Sequence, residues 1–176
     1  HFTHMPITYS LNVDTSYYEN EGFEKAADDE YEVKRIKWAL EIIENASNDL
    51  IQFKEIKEED NPDIYIYGVT EFDCNDVLGE DEEEDWVVEG LAGVMNVSDN
   101  KILNSDVWYC ADQVFIYEDT FSWGFGNCDN FPLTEVHELL HAFGFGHVFE
   151  DSASIMYPLT HIVHACKILD IDEETK

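Results

Sequence analysis

Apolar residues at Ile7, Tyr9, Leu11 and Val13 alternate with their neighbours and predict a strand over residues 7–13. The period then changes. Between about residues 21 and 48, Val33, Ile36, Leu40 and Ile43 recur at helical spacing, and Trp38, Ala39, Ile42 and Ala46 widen the stripe. The other face is Glu and Lys, so the pattern predicts one long amphipathic helix packed across a sheet. Residues 50–56 and 63–67 read as short strands. In the second, introduced by Pro62, Ile64 and Ile66 face one way and Tyr65 and Tyr67 the other. Further strand candidates lie within 86–97 and 111–117. The acidic run 79–85 and the Gly-rich, aromatic stretch 121–130 read as loops. A second helix starts near Pro132, a good first-turn residue, and ends near Gly144 and Gly146. Beyond Pro158 the pattern allows two readings: a helix over 162–169, or a terminal helix starting only around Asp170.

With 176 residues and 44% hydrophobic content, the chain suits one domain with its own core. No apolar stretch is long enough to cross a bilayer. The chain opens on His1, which reads as a processed or partial sequence. Forty acidic residues oppose nine basic ones, a formal charge of −31. Such a surface repels nucleic acid and anionic membranes. It serves solubility, and it leaves open attraction of basic substrates or binding of calcium. Cys74, Cys110, Cys128 and Cys166 form no Cys-x-x-Cys pair and do not resemble a zinc knuckle. Their even count permits two disulfides in three connectivities, with four buried thiols as the alternative.

The chemistry concentrates on the second helix. His137 and His141 are four apart, so both imidazoles can reach one ion from one helix face. Helical spacing alone would carry His147 away from that point. Gly144 can take a left-handed conformation, stop the helix and turn the chain back to deliver His147 as a third ligand. Three neutral imidazoles at zinc leave a fourth position open for water, the catalytic arrangement. Glu138 follows the first ligand and stands where a carboxylate can take a proton from that water. The run His-Glu-x-x-His-x-x-Gly-x-x-His, followed by Met156 in Ser154-Ile155-Met156-Tyr157-Pro158, is far rarer than a bare His-Glu-x-x-His.

These residues resemble the metzincin zinc peptidases, and within them the matrixins. The resemblance extends beyond the motif. Met5-Pro6-Ile7-Thr8-Tyr9, Trp38, Leu50-Ile51-Gln52-Phe53, Pro62-Asp63-Ile64-Tyr65-Ile66 and Gly90-Leu91-Ala92-Gly93 echo the matrixin layout. It implies an α+β, zincin-like fold of α/β/α layers, a twisted mixed sheet with a backing helix and an active-site helix. One catalytic domain would span 1–176, with an upper lobe of 1–146 and a small lower lobe of 147–176. An extended peptide or protein substrate would pair with an edge strand. Met156 would form an apolar floor beneath the imidazoles. Tyr157, Pro158 and Leu159 would form a wall of the primed-side pocket. The implied cofactor is one catalytic zinc, with calcium at 79–85 as a further candidate. In that fold Cys128 and Cys166 would clamp the lobes, leaving Cys74 with Cys110, as suits an extracellular or cell-surface protein.

Three positions depart from the family pattern: Val148 replaces a usual Ser, Thr160 a usual Tyr, and Gly93 a frequent structural-zinc His. They bear on pocket shape, and no structural zinc is expected. His1, His4, His161 and His164 read as surface or packing residues. Hydrolysis of peptide bonds is therefore the leading expectation. A catalytically latent, zinc-containing peptide-binding module is the alternative, although loss of the glutamate usually marks such relatives and Glu138 is present.

Overall fold

The computed structural model describes residues 1–13, 29–69, 90–110, 132–151 and 154–157. The first alternating run becomes β1 (Ile7–Val13), and the helical stripe becomes α1 (Asp29–Ala46). After them come β2 (Phe53–Glu55), a 3-10 turn (Glu58–Asp60), β3 (Ile64–Val69), β4 (Gly90–Ser98), β5 (Lys101–Cys110) and α2 (Leu133–Ala142). The five strands form one sheet in the order β2-β1-β3-β5-β4. Pairings among β2, β1, β3 and β5 are parallel, and β4 runs antiparallel to β5 at the edge. A mixed sheet with two helices is the expected α+β architecture, although both described helices pack on the same face of the sheet rather than on two faces as α/β/α layers would place them.

The register explains where the core sits. Ile7 lies opposite Phe53, Tyr9 opposite Ile64, Leu11 opposite Ile66, and Ile66 opposite Val107. Ala92 lies opposite Val107, and Gly90 opposite Tyr109. Directly paired residues share a face, so these positions line one side of the sheet. They pack in a single cluster with Ile36, Ala39, Leu40 and Ile43 of α1 and with Val136, Leu139 and Ala142 of α2. Ile36, Ile64, Ile66, Val107 and Leu139 are fully enclosed. Burying such a side chain stabilises the fold by roughly 1.5–3 kcal/mol.

Four expectations need correction. Trp38 and Ala46 do not join the buried stripe: Trp38 is 36% exposed, and Ala46 is exposed too. Arg35, a cation left outside the predicted apolar stripe, is buried at 3%. Its guanidinium reaches across to α2 and pairs with Glu135. The strand expected over 50–56 shrinks to Phe53–Glu55, because Leu50 lies in the turn after α1 and is 78% exposed. Most consequential, β5 occupies 101–110, a stretch not among the predicted strands. The candidate at 111–117 lies outside the described residues, as do the start of the expected first helix and the acidic run 79–85.

Strand β5 hid because Asn104-Ser105-Asp106 breaks the hydrophobic alternation. Ser105 nevertheless faces the core and is fully buried. Its hydroxyl donates to the carbonyl of Ala142 at 2.7 Å, satisfying an orphan acceptor at the end of α2. Asp106 points to the opposite face, where partial burial raises its pKa. A legible signal was available in Asp99-Asn100, which take φ of 51° and 63° and turn β4 into β5. Two left-handed central residues are what a type I′ hairpin turn requires, and Asp and Asn are among the few that accept it. Ser105→Ala should lower stability by about 1–2 kcal/mol, a thermal-melt shift of roughly 2–8 °C, by leaving that buried carbonyl unpaired.

Candidate active site

Helix α2 carries His137, Glu138 and His141, and its C-terminal end builds the rest of the site. Phe143 is the last residue with helical geometry and Gly144 follows at φ 85°. The Gly144 amide donates to the His141 carbonyl at 2.8 Å, and the Phe145 amide donates to the Leu140 carbonyl at 3.2 Å. These are the paired bonds of a Schellman cap, which needs a left-handed residue at the position of Gly144. The Phe143 ring is held edge-on between Phe2 and Phe53, with centroids 5.6 and 6.0 Å away. The reversal brings His147 back over the helix.

The three imidazoles converge. The Nε2 atom of His141 lies 3.1 Å from Nε2 of His137 and 3.1 Å from Nε2 of His147. Tetrahedral ligands about 2.0–2.1 Å from zinc stand roughly 3.3 Å apart, so the spacing fits one shared ion. The far nitrogens are engaged. His137 Nδ1–H donates to the Ile155 carbonyl at 2.5 Å, and His141 Nδ1–H to the Phe145 carbonyl at 2.7 Å. These bonds place the proton on Nδ1 and leave each Nε2 lone pair for a metal. Among the described residues this is the group of His, Cys, Asp and Glu side chains arranged to hold an ion. The donor set fits zinc in its catalytic form.

Burial grades across the triad. His137 is nearly enclosed, His141 is half-buried and His147 is exposed. Desolvation, opposed by the bond to Ile155 and aided by the neighbouring imidazoles, lowers the His137 pKa to about 4. His147 is lowered as well, by burial and then by His141. Both directions favour the neutral imidazole that a metal requires. Burial also raises Glu138 to about 8. A cation held by the three imidazoles would favour the carboxylate form and draw that value down.

The turn around Met156 packs beneath this helix end. Met156 is buried, and its carbonyl accepts a bond from the Val148 amide at 2.8 Å, tying the segment after His147 to that turn. Ile155 supplies the acceptor for His137 one residue earlier. Tyr157 is half-buried. Pro158, Leu159, Thr160, His161 and His164 lie outside the described residues, as do Cys74, Cys128, Cys166 and the side chain of Cys110. Of the remaining histidines, His1 is exposed, and His4 meets Asp63 at 3.0 Å with its ring half in solvent.

Two features of the site were not anticipated from the sequence. Arg35 donates from Nε to Glu135 Oε1 at 2.6 Å and from Nη2 to Oε2 at 3.2 Å, bolting the backing helix to the active-site helix. The Tyr109 hydroxyl adds a 2.8 Å bond to the Glu135 carbonyl. The second feature is Gly90, whose backbone lies directly against Glu138. The helical period held a hint of the first, since Arg35 stands four before the buried Ala39 on the same face.

A mixed sheet backed by a long helix, with three convergent imidazoles and a carboxylate on a second helix, defines a candidate metal centre. The matrixin family model matches residues 1–175, and the chain belongs to the matrixin family. A comparison with curated proteins gives no match. Family membership supports zinc metallopeptidase chemistry in general. No described helix is long and apolar enough to cross a membrane.

Proposed function

We propose that this chain is a zinc-dependent endopeptidase, with the metal held by His137, His141 and His147 and with Glu138 as general base and acid. The observation that carries this reading is the convergence of three imidazole nitrogens, with a buried carboxylate on the same helix packed against Gly90 of the edge strand. Zinc held by the three imidazoles would supply Lewis acidity toward a peptide carbonyl and lower the pKa of water toward neutrality. Glu138 takes the proton from that water on a carboxylate oxygen and hands it to the nitrogen of the departing amine. The bonds from His137 to Ile155 and from His141 to Phe145 hold both rings in the ligating tautomer throughout. The outer side of β4 has no strand partner among the described residues, and it offers its backbone groups to an extended peptide.

Under this reading the whole of 1–176 is one catalytic domain, with 1–146 above the cleft and 147–176 below it. Met156 is the apolar floor of the metal site, and Tyr157, Pro158 and Leu159 wall the primed-side pocket. Matrixin membership favours an extracellular or cell-surface setting.

The test pairs metal analysis with cleavage of a peptide library, with and without a chelator. One zinc per chain and cleavage that the chelator abolishes are expected. Zinc bound without cleavage of any peptide would instead support a latent peptide-binding module. Metal removal should also show in stability. At zinc 1,000-fold above its Kd the linkage is about 4 kcal/mol, so chelation should lower the melting temperature by roughly 8–16 °C.

A further inference from the structure

Gly90 opens the edge strand β4, on the face that looks toward α2. A Cβ built there would stand 2.6 Å from Cγ of Glu138, 2.9 Å from its Cδ and 2.9 Å from Oε1. Carbon atoms of separate side chains come to rest about 3.5–4.0 Å apart, so these positions cannot coexist. Gly90 does not need glycine for its backbone. Its φ is not in the left-handed region, which among the described glycines is confined to Gly144. The missing side chain therefore serves the close approach of Glu138 and nothing local to the strand. No hydrogen bond among the described residues anchors the Glu138 carboxylate, which leaves contact with the strand backbone to define its place.

We infer that Gly90 is a positioning residue for Glu138: the bare backbone at the start of β4 sets where the carboxylate rests beneath the edge strand. The inference rests on the hydrolytic reading of this site. A methyl group at position 90 meets the Glu138 side chain from Cγ outwards rather than backbone, so Glu138 rotates away while the strand keeps its register. Gly93 supplies the internal control. It lies on the same strand and on the opposite face, where an added Cβ meets nothing within 4 Å.

The experiment uses the full chain as wild type, Gly90→Ala, Glu138→Ala, the double variant and Gly93→Ala. Melting temperatures are read with metal removed, and steady-state kinetics with zinc bound. In an unstrained position Gly→Ala stabilises slightly, by restricting the unfolded chain. With Glu138 present, overpacking should reverse that sign, and Gly90→Ala should lower the melting temperature by about 2–5 °C. With Glu138→Ala in place, the same change should leave it level or raise it. In the zinc-loaded enzyme a displacement on the order of 1 Å should lower kcat about 100-fold, with KM within about 2-fold and zinc content unchanged. Gly93→Ala should leave the metal-free melting temperature level or raise it slightly. Equal melting shifts in both backgrounds, or wild-type kcat in Gly90→Ala, would overturn the inference. A wild-type chain that cleaves nothing while the melting cycle reverses sign would defeat the hydrolytic reading and leave the steric control of Glu138 standing.

Discussion

The Glu138→Ala variant should bind one zinc per chain like wild type and turn over peptide about 100- to 10,000-fold more slowly. The separation of the two effects follows from the geometry. Nitrogen atoms of His137, His141 and His147 lie close enough to share one ion, and the far-side bonds of His137 and His141 run to Ile155 and Phe145, so none of that framework passes through Glu138. Under the proposed hydrolysis a group must take a proton from water and return it to the amine, and Glu138 is the buried carboxylate that follows His137 on the same helix. Glu138→Gln is the stricter form of the test, because it preserves shape against Gly90 while removing the basic oxygen. Stability should change little in either variant, since each removes a carboxyl group that burial already disfavours in its charged form. Cleavage rates and metal content measured on the same preparations decide the matter. Undiminished cleavage by the alanine variant would exclude Glu138 from proton transfer.

Arg35→Met should be the most damaging substitution far from the metal. Arg35 and Glu135 are 4% and 1% exposed at their side chains and meet through two parallel hydrogen bonds. Removing one partner leaves the other as a buried, uncompensated charge, which costs about 3–5 kcal/mol. For a chain of this size the melting temperature should fall by roughly 6–20 °C. The loss should reach the active site, because Glu135 lies two residues before His137 on the same helix. The double variant Arg35→Met/Glu135→Leu should recover much of the loss, since a buried ion pair replaced by apolar residues of similar volume is often neutral. A melt of Arg35→Met within 2 °C of wild type would mean, by the same scale, that the pair contributes less than about 1 kcal/mol.

Much of the fold was legible because its cues are local. The alternation of Ile7, Tyr9, Leu11 and Val13 and the opposed faces of Ile64 and Tyr65 report a period of two. The spacing of Ile36, Leu40 and Ile43 reports a period near 3.6. Burial in the structure follows the second and third of these patterns; along β1, Ile7 and Tyr9 are buried, but so is Ser10, and Leu11 and Val13 are half-buried. Where a buried polar residue interrupts the pattern, the cue fails. Ser105 made β5 unreadable because its burial depends on a carbonyl 37 positions away. The burial of Arg35 could not be read because its partner lies 100 positions along the chain. Trp38 looked like core because its helix can be read with a wider stripe than the sheet covers.

The candidate site divides in the same way. The metal-binding motif could be read from residues 137–147 alone, because helix spacing and one left-handed glycine carry the geometry within eleven residues. The order of the strands, the identity of the edge strand and the close approach of Gly90 to Glu138 were settled only in three dimensions. Each joins segments distant along the chain, and no local period encodes which distant backbone will lie against a given side chain. Residue identity and spacing were enough to name the imidazoles that converge; long-range packing set what holds them in place and how little room Glu138 has to move.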